Sequence, residues 1–389
     1  NKFQGIFDGN GKTVKNLKIT GNNNYVGLFG FTTDGEIKNL TVENAKVSGR
    51  NSVGVVAGSP YTSKYTNITV KGHVEVNGKF YVGGVGGRNA YADWTNVKVE
   101  ADETSYVNAN SVEDGIAYRT YVGGVVGFNG EGGHSFKNIT SNIDVKGSTI
   151  DVGGLFGIAH YQNVFENLKC TGDVEIYAAE ESAEAEEIGG IAGVWMDSEI
   201  GPVTFTNIEF TGAVTTNIER ETIWYDNLFG KPYNNNGKGK LIVNNAIMVA
   251  SAAELQAAVD AATDNTAIKF GADIEGNVTV VQKPGVKISI DGAEKNYDGV
   301  IKVHSNSNHH ADAALTIKNV KFESATTYIN SDGDPYFNFI EALENGAERY
   351  STNITVEKCS FTHETANIAV GLQIKSSNNA KVLDCTATK

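Results

Sequence analysis

Val122-Gly123-Gly124-Val125-Val126-Gly127 is one copy of a phrase that returns throughout the first part of the chain. VGLFG begins at Val26, VGVVAG at Val53, VGGVGG at Val82, VGGLFG at Val152 and IGGIAG at Ile188, and a degenerate NLFG ends at Gly230. Each copy is followed by a second phrase, apolar-x-Asn-apolar, centred on Asn39, Asn67, Asn96, Asn138, Asn167 and Asn207; a half-copy at Asn16 precedes them all. Val26, Val53 and Val82 stand 27 and 29 residues apart, and Val122 and Val152 stand 30 apart. Periods of this size signal a solenoid or array. The local pattern is strand-like, with short runs of Val, Ile, Thr, Phe and Tyr bounded by Gly and Asn. One such unit cannot bury its own apolar face, so units must stack. Short strands stacked at this period predict an all-β fold, a right-handed parallel β-helix. The longer separations, Val82 to Val122 and Val152 to Ile188, call for loop insertions.

The recurring residues have physical tasks in that fold. The apolar members of the Asn phrase face inward and stack on their counterparts one repeat away. Asn tolerates left-handed backbone, which suits the bend between strands, and stacked Asn side chains can bond one another along the axis. The glycines suit tight corners and close backbone approach.

Composition agrees with a β-rich class. Of 389 residues, 44 are Gly and only 5 Pro. The net charge is −14, from 32 basic and 46 acidic residues. That charge argues against nucleic acid as a partner, since a binder of nucleic acid needs a basic stripe. It also argues against docking on anionic lipid. No apolar run is long enough to span a bilayer, so no direct membrane insertion is expected. Cys170, Cys359 and Cys385 show no zinc-type spacing. Cys359 and Cys385 fall where Val320 falls in the repeat, an inward position where Cys acts as a small hydrophobe; a disulfide between neighbouring repeats is compatible with this but not required. The sequence opens inside one repeat and closes inside another strand pattern, and reads as a fragment or processed form.

Two tandem modules are predicted. Residues 1–233 carry the glycine phrases. Phe7-Asp8-Gly9-Asn10-Gly11 is a tight turn between strands, and a turn role for Asp8 outweighs a catalytic one. The acidic stretch 178–187 reads as a solvated loop or short surface helix. Residues 234–247 read as a polar linker. The second module, 248–389, opens with a cap helix over 252–262, whose Ser251 and Glu254 form a capping box. Ala252, Leu255, Ala258, Val259 and Ala262 give it one apolar face, suited to lidding the end of a stack. Ile290-Asp291-Gly292 then echoes Phe7-Asp8-Gly9.

Three stretches are candidates for chemistry. Asn330, Asp332, Asp334, Asn338 and Glu341 space their oxygens like a calcium loop, although Pro335 stands where that loop needs Gly; the competing reading is an inserted loop with a helix from about Phe337 to Gly346. His304, His309 and His310 with Asp312 are metal-ligand types, in what otherwise reads as a solvated polar loop. Tyr61, Tyr65, Tyr81, Tyr91, Trp94, Tyr118 and Tyr121 supply aromatic platforms for sugars, or simply core filling. No acid pair of glycosidase type is diagnosable from sequence, since that pairing is set in space. Arg88, Arg119, Arg220 and Arg349 are each isolated, which leaves a lyase without its basic residue. The glycine phrases lack the Lys-Ser/Thr that a phosphate loop requires.

The phrase Asp8-Gly9-Asn10-Gly11-Lys12-Thr13-Val14-Lys15-Asn16-Leu17, with Tyr25-Val26-Gly27-Leu28-Phe29-Gly30, resembles the GLUG-motif repeats of Bacteroidetes-type surface proteins. The second module resembles their pectin-lyase-like β-helix modules. The resemblance implies a secreted or cell-surface protein of adhesin type, with glycan or host-protein partners. It implies no catalytic residues; calcium, from the spacing of the loop above and not from the resemblance, is the one cofactor in view. A monomeric, non-catalytic adhesin is the expectation, with a polysaccharide lyase or hydrolase and a structural stalk or surface-layer component as alternatives.

Overall fold

A computed structural model describes the chain except residues 1, 114–115, 117, 131, 161, 197–200, 234–239, 306–311, 325–327, 330–334, 337, 343–350, 364–369, 375–376 and 389. The protein is all-β, with stacked parallel sheets. It divides into two compact units, Asn1–Asn244 and Asn245–Lys389. Of the stretch read as a linker, 234–239 lies outside the described residues, while Leu241–Val243 and Ala246–Val249 are strands.

In the first unit the repeats feed three sheets, some giving two strands to the largest, and like pairs with like. The Asn phrases form the strands Glu36–Ser48, Lys64–Gly78, Asp93–Ala101, Ser135–Ser141, Val164–Cys170 and Val203–Phe210. The glycine phrase divides into two strands. Its first half gives a six-stranded sheet in which Val26, Val53, Val82, Val122, Val152 and Ile188 lie side by side. Its second half gives a seven-stranded sheet that includes Phe29–Thr33, Ala57–Tyr61, Gly86–Ala90 and Val126–Gly130. The degenerate copy joins through a bridge from Phe229 to Ala192.

Register explains the Asn. Trp94 pairs with Tyr65 and Thr95 with Thr66, then Val97 with Ile68; Asn96 and Asn67 are skipped. Both have φ of 56°, a left-handed conformation that Asn accepts at little cost. The bend turns one side chain per repeat outward while Ile37, Tyr65, Trp94, Phe136, Phe165 and Phe205 fill the core. Successive rings stack there, Tyr65 on Trp94 at 4.2 Å and Phe165 on Phe205 at 4.4 Å.

Of the two tasks expected of the phrase glycines, close backbone approach is the one they perform. None of them has a left-handed φ. Instead, a Cβ on Gly127 would lie 2.4 Å from the Val82 nitrogen. Bare Cα atoms are needed because neighbouring repeats approach backbone to backbone.

In the second unit Ile268, Ile290, Ile317 and Val356 stack in register on parallel strands and are buried. The segments 315–322 and 354–361 are each bent into two strands, at Asn319 and Lys358, whose φ values are 53° and 52°. The helix Ala252–Asp260 begins where its capping box predicts: Ser251 accepts from the Glu254 nitrogen at 3.2 Å, and Glu254 accepts from the Ala250 nitrogen at 2.7 Å. It buries Leu255, Ala258 and Val259. Gln256 donates to the Thr279 carbonyl and accepts from the Thr279 N–H, so the helix covers the first strand of a sheet by standing in for a missing neighbour. The helix expected from about Phe337 is instead the strand Asn338–Ala342, which seats Ile340 between Ile301 and Leu372. Parallel pairing and burial outweigh the local helical pattern there. Cys170, Cys359 and Cys385 are free, the first two buried.

Candidate functional site: an aromatic strip on the first unit

The residue before each glycine-phrase valine is held in a left-handed conformation: Tyr25, Ser52, Tyr81, Tyr121 and Asp151, with φ between 50° and 66°. Bulky side chains rarely occupy this region. Strain of this kind costs roughly 1–3 kcal/mol and clusters at functional sites. Three of the five are tyrosines, and each of these rings remains at least partly exposed.

The seven-stranded sheet carries the second row. Phe31 pairs with Ser59, and Arg88 pairs with Phe128. The rings of the two rows meet. Tyr25 lies 5.9 Å from Phe31, which lies 6.1 Å from Tyr61, then 5.6 Å separates Tyr61 from Tyr91 and 5.5 Å separates Tyr91 from His134. A second cluster sets Tyr81 against Tyr121 and Phe128, at 5.2 Å and 5.3 Å. Arg88 is exposed and lies over both Tyr81 and Phe128, at 5.6 Å and 5.7 Å from the ring centres. Aromatic rings with wet edges suit ligands with one apolar and one polar aspect, sugars among them.

The structure sorts the aromatic residues named from sequence. Tyr61, Tyr81, Tyr91 and Tyr121 belong to the strip, and Tyr118 is exposed beside Phe80 at 5.9 Å. Tyr65 and Trp94 are not platforms. Both are fully buried, Tyr65 bonded to Thr32 at 2.6 Å and Trp94 donating to Asn89 at 3.0 Å. The reason is period: they sit two places before the Asn of their phrase, on the inward side of the strand. Tyr25, Phe31, Phe128 and His134 were missed. Position relative to the glycine phrase was the available signal for Tyr25.

Two further surfaces were tested against this one. Asn39 donates to Asp8, Asn67 to Asn39, Asn96 to Asn67, Asn138 to Asn96, Asn167 to Asn138 and Asn207 to Asn167, all at 2.8–3.0 Å. Asp8 also accepts from the Asn10 nitrogen at 2.8 Å; the Asn39 bond first, and then this one, hold its carboxyl below the ordinary range, and the pair marks it as a turn residue. Asp291 repeats this pattern with Ala293 and Asn319. A groove of about 700 Å³ runs over the ladder, lined by Asn67, Asn96, Asn138 and Asn167 with Thr69, Thr140, Lys98 and Glu100. Its carboxamides are already engaged with one another.

The other surface is acidic. Arg119 donates to both oxygens of Asp151, at 2.7 Å and 2.8 Å, and to Glu187 at 2.6 Å. Burial, then the neighbouring Asp151 charge, pushes the Glu187 carboxyl well up. Asp151 has no exposed surface, and the Arg fork closes the pair off, so this is an internal brace. It also corrects the solvated reading of 178–187. The stretch does hold a short helix, Ser182–Ala185, but Ala185 and Glu186 turn inside, where Glu186 accepts from the Thr222 nitrogen at 3.0 Å.

No family model, no curated protein and no solved structure matches the chain. Of the calcium-loop residues, Asn330, Asp332 and Asp334 lie outside the described residues, and Asn338 and Glu341 lie in the strand Asn338–Ala342. His309 and His310 are likewise outside, and His304 lies in the strand Ile301–Ser305. Among the described residues no group of three His, Cys, Asp or Glu is placed to hold a metal. Among the same residues no helix is long and apolar enough to cross a membrane.

Proposed function

We propose that the chain is a non-catalytic bacterial cell-surface protein of GLUG-repeat type, built as two tandem right-handed parallel β-helix modules, that binds glycans through the aromatic strip of its first unit. One observation carries the reading: tyrosine is kept at Tyr25, Tyr81 and Tyr121 in left-handed backbone, where Asn or Gly would cost less. Strain retained at three equivalent positions, one exposed and two half-buried, is best explained by what the rings touch. The strip adds near-continuous ring contacts over several repeats, which suits an extended chain of sugars better than a single small molecule. The apolar C–H face of a pyranose lies on a ring while its hydroxyls reach the polar edges of the strip, such as Thr62 and Asp34.

The test is an array of glycans and host matrix proteins, probed with the full chain and with Tyr81→Asn, each with calcium and with chelator. Selective glycan binding that falls with Tyr81→Asn supports the reading. Binding only to proteins would replace glycans by host proteins as the partner. No binding on either array would shift the function to a stalk or surface-layer role.

A further inference from the structure

We infer that the strip selects glycans carrying carboxylates, with Arg88 as the residue that reads the charge; this rests on the glycan reading above. The argument starts from how cations are placed in the first unit. Its lysines and arginines are commonly matched to an acid, one repeat away in pairs such as Lys46 with Glu75, Lys137 with Glu166, Lys146 with Glu175 and Lys169 with Glu209. Arg88 departs from that habit. It is exposed, and among the described residues no carboxylate lies within ion-pair distance of it. Its register partner is Phe128, and the same row continues through Ile158 and Val194 without an acid.

Two rings hold the guanidinium in place, Tyr81 and Phe128, and leave its donor fork open. Lys2 repeats the arrangement at one end of the strip, 5.0 Å over Phe31. These are cations without acids in a protein whose net charge is −14, set among the rings that would stack on sugar. An Arg fork matches the planar carboxylate in two parallel hydrogen bonds. Tyr81 and Tyr121 stack on each other, with Arg88 over the first and Arg119 over the second, so the geometry fits a sugar set against the edges of these rings with its carboxylate on Arg88. The carboxylate is the committed ligand chemistry, and a sulfate, whose oxygens can also take an Arg fork, is the competing outcome of the test.

The experiment is calorimetric titration of the full chain with hyaluronate and galacturonate oligosaccharides, each beside its carboxyl-reduced form, and with a sulfated neutral glycan. Expected is about tenfold or greater preference for at least one uronate over its reduced form, the scale of a charge-assisted pair of ~1.5 kcal/mol or more. Arg88→Ala removes that preference, Arg88→Lys restores part of it, and the melting temperature stays unchanged because Arg88 is exposed. Equal binding of uronate and reduced forms, or preference surviving Arg88→Ala, overturns the inference while leaving glycan binding intact. Tighter binding of the sulfated glycan overturns the commitment to carboxylate. Failure of every oligosaccharide, charged and neutral, overturns the inference, and an array that is also blank for glycans sinks the glycan reading beneath it.

Discussion

Asn96 donates its side-chain N–H to the carboxamide oxygen of Asn67 at 2.9 Å, across 29 residues of chain. Each Asn in this row has two separate tasks, the bond along the ladder and the left-handed bend beneath it. Asn96→Ala loses both and should lower stability by about 1–2 kcal/mol, most of it from the backbone. Asn96→Gly loses only the two ladder bonds, to Asn67 and from Asn138, which are exposed, and should cost less. Chemical denaturation of both variants checks this; equal losses would show that the bend carries no strain.

Glycine substitutions separate crowding from conformation. Gly127→Ala places a Cβ 2.4 Å from the Val82 nitrogen and 2.7 Å from the Tyr121 carbonyl. Backbone cannot yield there, and a loss of about 3 kcal/mol is expected, at the upper end for overpacking. Gly133→Ala meets no atom within 4 Å but has φ of 90°, so only conformational strain of roughly 1 kcal/mol applies. Thermal melts that rank the two in reverse would refute the account of the phrase.

Tyr25 gives a way to split stability from binding. Tyr25→Ala and Tyr25→Asn both delete the ring, but only Asn accepts φ of 58° readily. The Asn variant should be the more stable by about 1 kcal/mol, with affinity for a bound glycan reduced equally in both. An Asn variant that binds like the parent would mean the ring is not what this position supplies.

The Arg119, Asp151 and Glu187 brace predicts a pH slope. Glu187 has its folded pKa raised from 4.5 to about 8, first by burial and then by Asp151. The folded state therefore holds a proton that the unfolded chain has released. This stabilisation is complete below the unfolded value and is lost as pH rises through the folded one. Stability should fall between about pH 5 and pH 8, and Glu187→Gln, which keeps the neutral form, should flatten that fall. Denaturation midpoints at four pH values decide it; a Gln variant with the parental slope assigns the slope to other groups.

The sequence made the architecture readable because the period is carried by backbone needs. Bare Cα atoms and left-handed bends leave Gly and Asn at fixed intervals, and Val at the start of each phrase marks the register. The inward or outward side of a given aromatic was less legible. Tyr65 and Tyr61 are four residues apart in one repeat, yet one is core and the other surface, because a turn at Thr62, with φ of 43°, intervenes. Burial at the end of an acidic stretch was also hidden, since the partner that draws Glu187 inside, Arg119, lies 68 residues away. The helix expected near Phe337 failed for a related reason: the pairing that makes it a strand involves Ile301 and Leu372, each more than 30 residues distant.

The register of the valine row has a use outside binding. Val82 pairs with Val122 across 40 residues and Val122 pairs with Val152 across 30, with the same neighbour geometry in both cases. Extra sequence enters at one place in the repeat, between Ala109 and Val122 in one case and between Ile176 and Ile188 in another, and the count resets at the start of the next glycine phrase. Evolution can thus lengthen one loop without retuning the rest, and a protein engineer can do the same. A foreign peptide inserted after Val112, which is exposed, would leave the buried Ser111 and the valine register in place.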